Sequence, residues 1–115
     1  NLFISIHLNS IPDIEMNIHK NRGTSVYYYN KNSKELAQII EKSVVDKLNT
    51  RNDGVREASF AVLRPTNYIG VLVEVAYMTN PIDSILYSKP EFPRDTAKAI
   101  AEGILNYTTT DFICQ

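Results

Sequence analysis

The segment Val71–Val75, with the sequence VLVEV, constrains the fold more than any other part of the chain. Four of its five residues are aliphatic, and a strand this apolar is usually covered on both faces. Its fourth residue is Glu74. Burying an ionised carboxylate is costly unless a cation or strong hydrogen-bond donors meet it. The sequence therefore allows three environments for Glu74. It lies at an exposed strand end, pairs with an arginine such as Arg64, or points into a cleft.

The other apolar patterns predict a chain in which strands alternate with helices. Strands are predicted at 2–6, 24–29 and 60–63, and turn residues at 49–54. Helices are predicted at 34–48 with Asn32 as the N-cap, from Asn80 to about Ser88, and at 94–107. This order indicates one α/β domain with a mostly parallel twisted sheet flanked by helices.

The composition excludes several classes of protein. With 12 basic and 13 acidic residues the net charge is −1, which gives no long-range field to attract nucleic acid or an anionic membrane. No apolar run approaches the ~20 residues of a membrane span. The single cysteine, Cys114, excludes an internal disulfide and a cysteine-based zinc cluster. A strand pattern at the very first residue, without an initiator Met, leads us to expect that an upstream segment has been removed.

His7 is the second residue that a simple core does not explain. It follows the strand LFISI directly, and clefts of open α/β sheets lie beyond the carboxyl ends of the strands. His7 is then either hydrogen-bonded to the following loop or a metal ligand or acid–base group. A partly buried Glu74 would have a raised pKa, which suits a general base or acid near neutral pH. His19 is expected to be exposed in the loop at 9–23.

Other chemistries have weaker signals. The chain contains neither a G-x-S-x-G motif nor a glycine-rich phosphate loop. Tyr27, Tyr28 and Tyr29 are either a stacking platform for a ligand or structural residues. Strand alternation places Tyr28 on the face opposite the other two, so at least one of the three belongs to the core.

Six segments in order resemble motifs of the zinc-dependent N-acetylmuramoyl-L-alanine amidases of the type 3 family. They are NLFISIHLNS at 1–10, GTSVYYY at 23–29, the helix at 33–48, GVREASFAVLRPT at 54–66, VLVEVAYMTNP at 71–81 and IAEGILNY at 100–107. The resemblance covers nearly the whole chain. It implies hydrolysis of the amide between N-acetylmuramic acid and L-alanine in peptidoglycan.

The resemblance also implies roles for individual residues. His7 matches one of three zinc ligands of the family, two histidines and a glutamate, and Glu74 matches the catalytic base. Asn9 and Arg64 are weaker candidates for orienting the substrate or Glu74. Peptidoglycan is the expected partner, in the bacterial cell envelope, as a periplasmic or secreted protein. An envelope protein that regulates the enzyme is a further expected partner.

The chain also departs from the family pattern. The other two zinc ligands lie upstream of the S-I-H motif, so residues 1–115 resemble a domain that lacks its N-terminal strand and helix. By itself this chain is expected to bind zinc poorly and to have little activity. Leu8 and Tyr77 add bulk near the expected site, and the loop at 11–22 is expected to shape the groove. The alternative is a non-catalytic module that binds peptidoglycan or an envelope partner.

Overall fold

The computed structural model describes residues 1–11 and 19–113, with side chains as far as residue 110, and shows an α/β fold built on a mixed sheet. The strands are β1 (Leu2–Asn9), β2 (Thr24–Tyr28), β3 (Asn52–Glu57) and β4 (Ile69–Tyr77). Their order across the sheet is β1-β4-β2-β3. The β1–β4 and β2–β3 pairs are parallel and the β2–β4 pair is antiparallel, which confirms the predicted mostly parallel sheet.

Three α-helices accompany the sheet in this part of the chain. They are α1 (Lys34–Leu48), α2 (Pro81–Tyr87) and α3 (Phe92–Ile113). All three match predicted helices, and α3 extends beyond the predicted 94–107 at both ends. None of the helices within the described ranges is long and apolar enough to cross a membrane. Most of the predicted loop at 11–22, and Cys114, lie outside the described residues.

The hydrophobic core lies between the helices and one face of the sheet. Alternate residues of β4, which are Val71, Val73 and Val75, are buried in it, and so are Ile40 of α1 and Ile100 of α3. Successive side chains of a strand point to opposite faces. Gly70, Leu72 and Glu74 therefore belong to the face opposite α1 and α3, which we call the open face.

The prediction of a third strand at 60–63 is wrong. Residues Ala61–Leu63 form a 3₁₀ turn, and the third strand is Asn52–Glu57, whose first three residues belong to the predicted turn at 49–54. Asn, Asp and Gly are poor strand formers. Parallel pairing with β2 overrides this preference, with an irregular register beside Gly54 that accommodates the turn-like residues.

The two predicted helix starts have different outcomes. Asn32 is not the N-cap of α1, because it lies inside the 3₁₀ turn Lys31–Ser33 that leads into the helix. Asn80 is the N-cap of α2, as predicted, since its side chain accepts hydrogen bonds from the backbone N–H groups of Ile82 and Asp83. Pro81 occupies the first turn, where its missing N–H removes no helical hydrogen bond.

Gly23 and Gly54 provide a matched test of backbone constraint. Both have positive φ, at +98° and +99°. A Cβ at Gly23 would overlap the backbone oxygen of Arg51, whereas at Gly54 the nearest atom is 4.0 Å away, at the end of the Arg56 side chain. We expect Gly23→Ala to lower the free energy of unfolding by more than about 2 kcal/mol, and Gly54→Ala by about 1 kcal/mol. Urea unfolding measures both, and equal losses would contradict this assignment.

Glu41 of α1 predicts a pH dependence of stability. The residue is 3% exposed, and burial raises the pKa of its carboxyl group from 4.5 to about 8. The native state therefore binds more protons than the unfolded state between these pH values. The stabilisation by protonated Glu41 is complete below pH 4.5 and is lost as the pH rises through about 8.

We expect Glu41→Gln to be more stable than the wild type at pH 8.5, by about 2–4 kcal/mol relative to their difference at pH 4.5. Urea unfolding at both pH values measures this change. Glu35→Gln, at an exposed position of the same helix, is the matched control and should show little change. Parallel pH profiles for the wild type and Glu41→Gln would contradict the assignment.

Candidate active site

Strand register brings His7 and Glu74 together on adjacent strands. His7 of β1 is the parallel partner of Glu74 of β4, and Ser25 of β2 is the antiparallel partner of Glu74 on its other side. Paired residues of adjacent strands share a face and lie about 5 Å apart. The sheet thus forms one row of an imidazole, a carboxylate and a hydroxyl on the open face.

Glu74 lies inside its strand, in an environment that favours the neutral carboxyl group. It is half-buried within Ile69–Tyr77, and its Oε2 atom is buried with no hydrogen-bond partner among the described residues. Burial raises the pKa of Glu74, and the positive charge of His7 partly opposes this effect. The carboxylate is therefore neither at a strand end nor paired with an arginine in the described part of the chain.

His7 is exposed, and its neighbour on the same face of β1 engages one of its ring nitrogens. The Oγ atom of Ser5 lies 2.7 Å from Nε2 of His7. Ser5 precedes His7 by two residues, so strand alternation alone could have placed the two together. This contact restricts rotation of the imidazole and leaves Nδ1 for another partner.

Ser25 was not identified from the sequence. Its hydroxyl oxygen is buried and, like Oε2 of Glu74, has no partner within the described ranges. Two unsatisfied polar atoms on facing residues are unusual in a folded interior and are typical of a site completed by a ligand or water. No sequence signal identifies Ser25, because its position beside Glu74 depends on antiparallel pairing between distant segments.

A bulge in β4 brings Tyr77 into the same region. Between the pairs His7–Glu74 and Asn9–Tyr77, β4 contains one more residue than β1, which turns Tyr77 towards the face of Glu74. The Tyr77 hydroxyl donates a hydrogen bond of 3.1 Å to Oδ2 of Asp53. Burial, followed by the charge of Asp53, raises the pKa of Tyr77 to about 12.

The two predicted substrate-binding residues, Asn9 and Arg64, each have local hydrogen-bond contacts. Asn9 is two residues beyond His7 on the same strand, and its Oδ1 atom accepts a hydrogen bond from the backbone N–H of Ser10. Arg64 is exposed after the 3₁₀ turn, and its guanidinium donates to Oγ and the backbone oxygen of Ser59. The alternative that Arg64 neutralises Glu74 is not supported, because His7 is the cation that lowers the pKa of Glu74.

The side chains of this row provide only part of the ligand set that a metal ion needs. Neutral imidazole is a good zinc ligand, and His7 is accessible. A catalytic zinc ion needs three protein ligands, however, and the described ranges contain no group of three or more His, Cys, Asp or Glu residues placed to hold a metal ion. His19 lies in an exposed turn of the chain, as expected.

Comparison with known proteins gives a consistent result over most of the chain. The family model described as N-acetylmuramoyl-L-alanine amidase matches residues 1–106. The probable cell wall amidase LytH of Staphylococcus saprophyticus is 34% identical over 105 residues, which are 91% of this chain and 34% of that protein.

Solved structures share the fold. The N-acetylmuramoyl-L-alanine amidase AmiC2 of Nostoc punctiforme superposes with a TM-score of 0.82 at 35% identity, over 94% of this chain and 58% of that chain. The CwlD amidase of Clostridioides difficile, solved in complex with the GerS lipoprotein, gives 0.83 at 27% identity, over 96% of this chain and 55% of that chain. The chain thus spans between a third and three fifths of the length of these relatives.

The proximity of His7 and Glu74 can be tested in solution with metal-free protein. Because the charge of His7 lowers the pKa of Glu74, we expect His7→Ala to raise the pKa of the Glu74 carboxyl group further. Carbon-13 NMR of the glutamate side chains measures this pKa directly. His19→Ala, which removes an imidazole from the exposed turn, is the control and should leave it unchanged. An unchanged pKa in His7→Ala would place the two groups apart.

Proposed function

Because this chain belongs to the N-acetylmuramoyl-L-alanine amidase family, we propose that its gene product is a zinc-dependent hydrolase of peptidoglycan. The reaction would cleave the amide between N-acetylmuramic acid and the L-alanine of the stem peptide. The observation that carries this proposal is the pairing of His7 with Glu74 on adjacent strands. This pairing supports the proposal because an imidazole, a side-chain type that binds zinc, lies beside a carboxyl group whose pKa is raised by burial.

In the proposed mechanism Glu74 is the general base and then the general acid. It accepts a proton from the attacking water and transfers that proton to the departing nitrogen of L-alanine. A raised pKa favours this second step, because the protonated carboxyl group persists closer to neutral pH. His7 would hold the metal ion, with its imidazole positioned by Ser5. When bound, zinc would supply Lewis-acid polarisation of the scissile carbonyl group.

We propose that the remaining zinc ligands come from polypeptide outside residues 1–115, which would add a further strand and helix to this fold. The exposed edge of β1 supports this arrangement. β1 is at the end of the described sheet, and its side chains Leu2, Ile6 and Leu8 are 38%, 54% and 37% exposed. Parallel sheets usually have both faces covered, so these exposed apolar side chains suit a covering helix, and the position of β1 at the end of the described sheet suits a further strand.

The proposed reaction implies a location and a class of partner. Its substrate is outside the cytoplasm, so the protein would act in the bacterial cell envelope or after secretion. A protein regulator is a further proposed partner, by analogy with the solved complex of CwlD with the GerS lipoprotein.

A second candidate function is a non-catalytic module that binds peptidoglycan or an envelope protein through the same face. It is favoured by the lack of a three-ligand metal set within the described ranges. Glu74→Gln separates the two functions, because a pure binding module would retain its binding and its effect on cell separation.

The amidase proposal predicts separate effects of the two site residues in the complete gene product. His7→Ala should lose most of the bound zinc. Glu74→Gln should keep its zinc but release stem peptides from purified sacculi roughly 10²–10⁴ times more slowly, because it cannot transfer a proton. Elemental analysis and chromatography of released peptides measure these effects.

The 115-residue chain alone serves as a comparison and should contain little zinc. The exposed substitution Glu57→Gln on β3 is the matched control and should retain both zinc and activity. A zinc-loaded wild-type product that releases no peptide would refute the amidase proposal.

A further inference from the structure

Arg56 gives the open face a cation two strands away from Glu74. It pairs with Tyr27 in the β2–β3 ladder, and its Nη1 atom donates a hydrogen bond of 3.4 Å to the Tyr27 hydroxyl. Its Nη2 atom lies 3.4 Å from Oδ1 of Asp53 and also donates to the backbone oxygen of that residue. The side chain of Arg56 remains 45% exposed.

An aromatic pair lies beside this cation. The rings of Tyr27 and Phe60 meet edge to face, with centroids 5.4 Å apart and an interplanar angle of 80°. Phe60 is 38% exposed, and Tyr27 is partly exposed. We call Tyr27, Arg56 and Phe60 the Arg56 subsite. It combines an apolar wall with a planar group that donates hydrogen bonds.

The Arg56 subsite is continuous with the row that contains Glu74. Tyr27 lies on β2 two residues from Ser25, the cross-strand partner of Glu74, so it occupies the diagonal position next to the carboxyl group. β3 is two strands from β4, and Arg56 is offset from Glu74 by two residues along the strands, which places their backbones about 12 Å apart. Three residues of an extended peptide cover most of that distance.

A guanidinium group has five N–H donors in a fixed planar arrangement. Within the described residues, the two terminal nitrogens of Arg56 contact one aspartate and one phenol, and nearly half of the side chain faces solvent. Exposed guanidinium donors bind carboxylates in a bidentate manner better than they bind neutral groups. In the proposed reaction the leaving group at Glu74 is a peptide, which is the part of the substrate that carries carboxylates.

We propose that the Arg56 subsite binds a carboxylate of the peptide portion of the substrate, two or three residues from the scissile amide, and so makes the enzyme selective for acidic peptides. This inference rests on the proposed function of Glu74. The competing explanation is purely structural: Arg56 would only hold Asp53 and the irregular start of β3. The two explanations differ in whether the effect of removing Arg56 on kcat/KM depends on the charge of the substrate.

The test uses the complete gene product and two synthetic substrates. One is an N-acetylmuramoyl tripeptide with free carboxylates on its second and third residues, and the other is the same compound with those groups converted to carboxamides. We expect the wild type to prefer the acidic substrate by about tenfold in kcat/KM, the usual effect of one charge-assisted hydrogen-bonded pair. Arg56→Met should remove this preference, mainly by raising KM for the acidic substrate alone.

Two further variants keep the test decisive. Lys98→Met makes the same change of charge on an exposed position of α3 and should retain the preference. Arg56→Lys keeps the charge without the bidentate geometry and should retain part of it, which also covers the case in which Arg56→Met does not fold. Equal losses on both substrates in the Arg56 variants, or no preference in the wild type, would overturn the subsite.

Binding measurements separate failure of the subsite from failure of the proposed function. If the wild type cleaves neither compound, the amidase proposal fails, and calorimetric titration with both compounds tests the subsite by itself. If the wild type binds the acidic compound more tightly and Arg56→Met removes this difference, the subsite is supported even though the protein does not catalyse the reaction. Equal binding of the two compounds by the wild type would overturn it.

Discussion

The placement of Glu74 between two neighbouring strands is the constraint on which the candidate site depends. Its backbone belongs to the strongly apolar strand β4, and its Oε2 atom is buried without a hydrogen-bond partner in the described residues. The cost of that burial is limited because the group can remain protonated, as its raised pKa indicates. The sheet thus sets the chemistry of the carboxyl group as well as its position.

The two faces of β4 have different roles, one in the stability of the fold and the other in the candidate site. Its valines pack against α1 and α3 and supply the core, while Glu74 on the alternate face takes part in a polar row. Register connects the two, because a shift by one residue would bury Glu74 in the core and expose the valines. The packing of the core therefore holds the carboxyl group in place beside His7.

Much of the fold could be predicted from local patterns. The strands at the start of the chain and around Glu74, and all three helices, have periodicities or caps that depend on residues close in sequence. β3 could not be predicted, because Asn52, Asp53 and Gly54 disfavour extended structure and only pairing with β2 makes them a strand. The prediction that Asn32 caps α1 was wrong for a similar reason, because Asn32 belongs to the 3₁₀ turn that precedes the helix.

The sequence by itself determined that an acid interrupts an apolar strand, that a histidine follows another strand, and that the motifs around both resemble those of one amidase family. Those properties are local, so the order of residues is enough to establish them. Only the tertiary structure decided that His7, Glu74 and Ser25 form one row, that Arg64 bonds to Ser59, and that Arg56 and Tyr27 continue the same face. Strand order and register arise from pairing between segments far apart in the chain, and no local pattern specifies them.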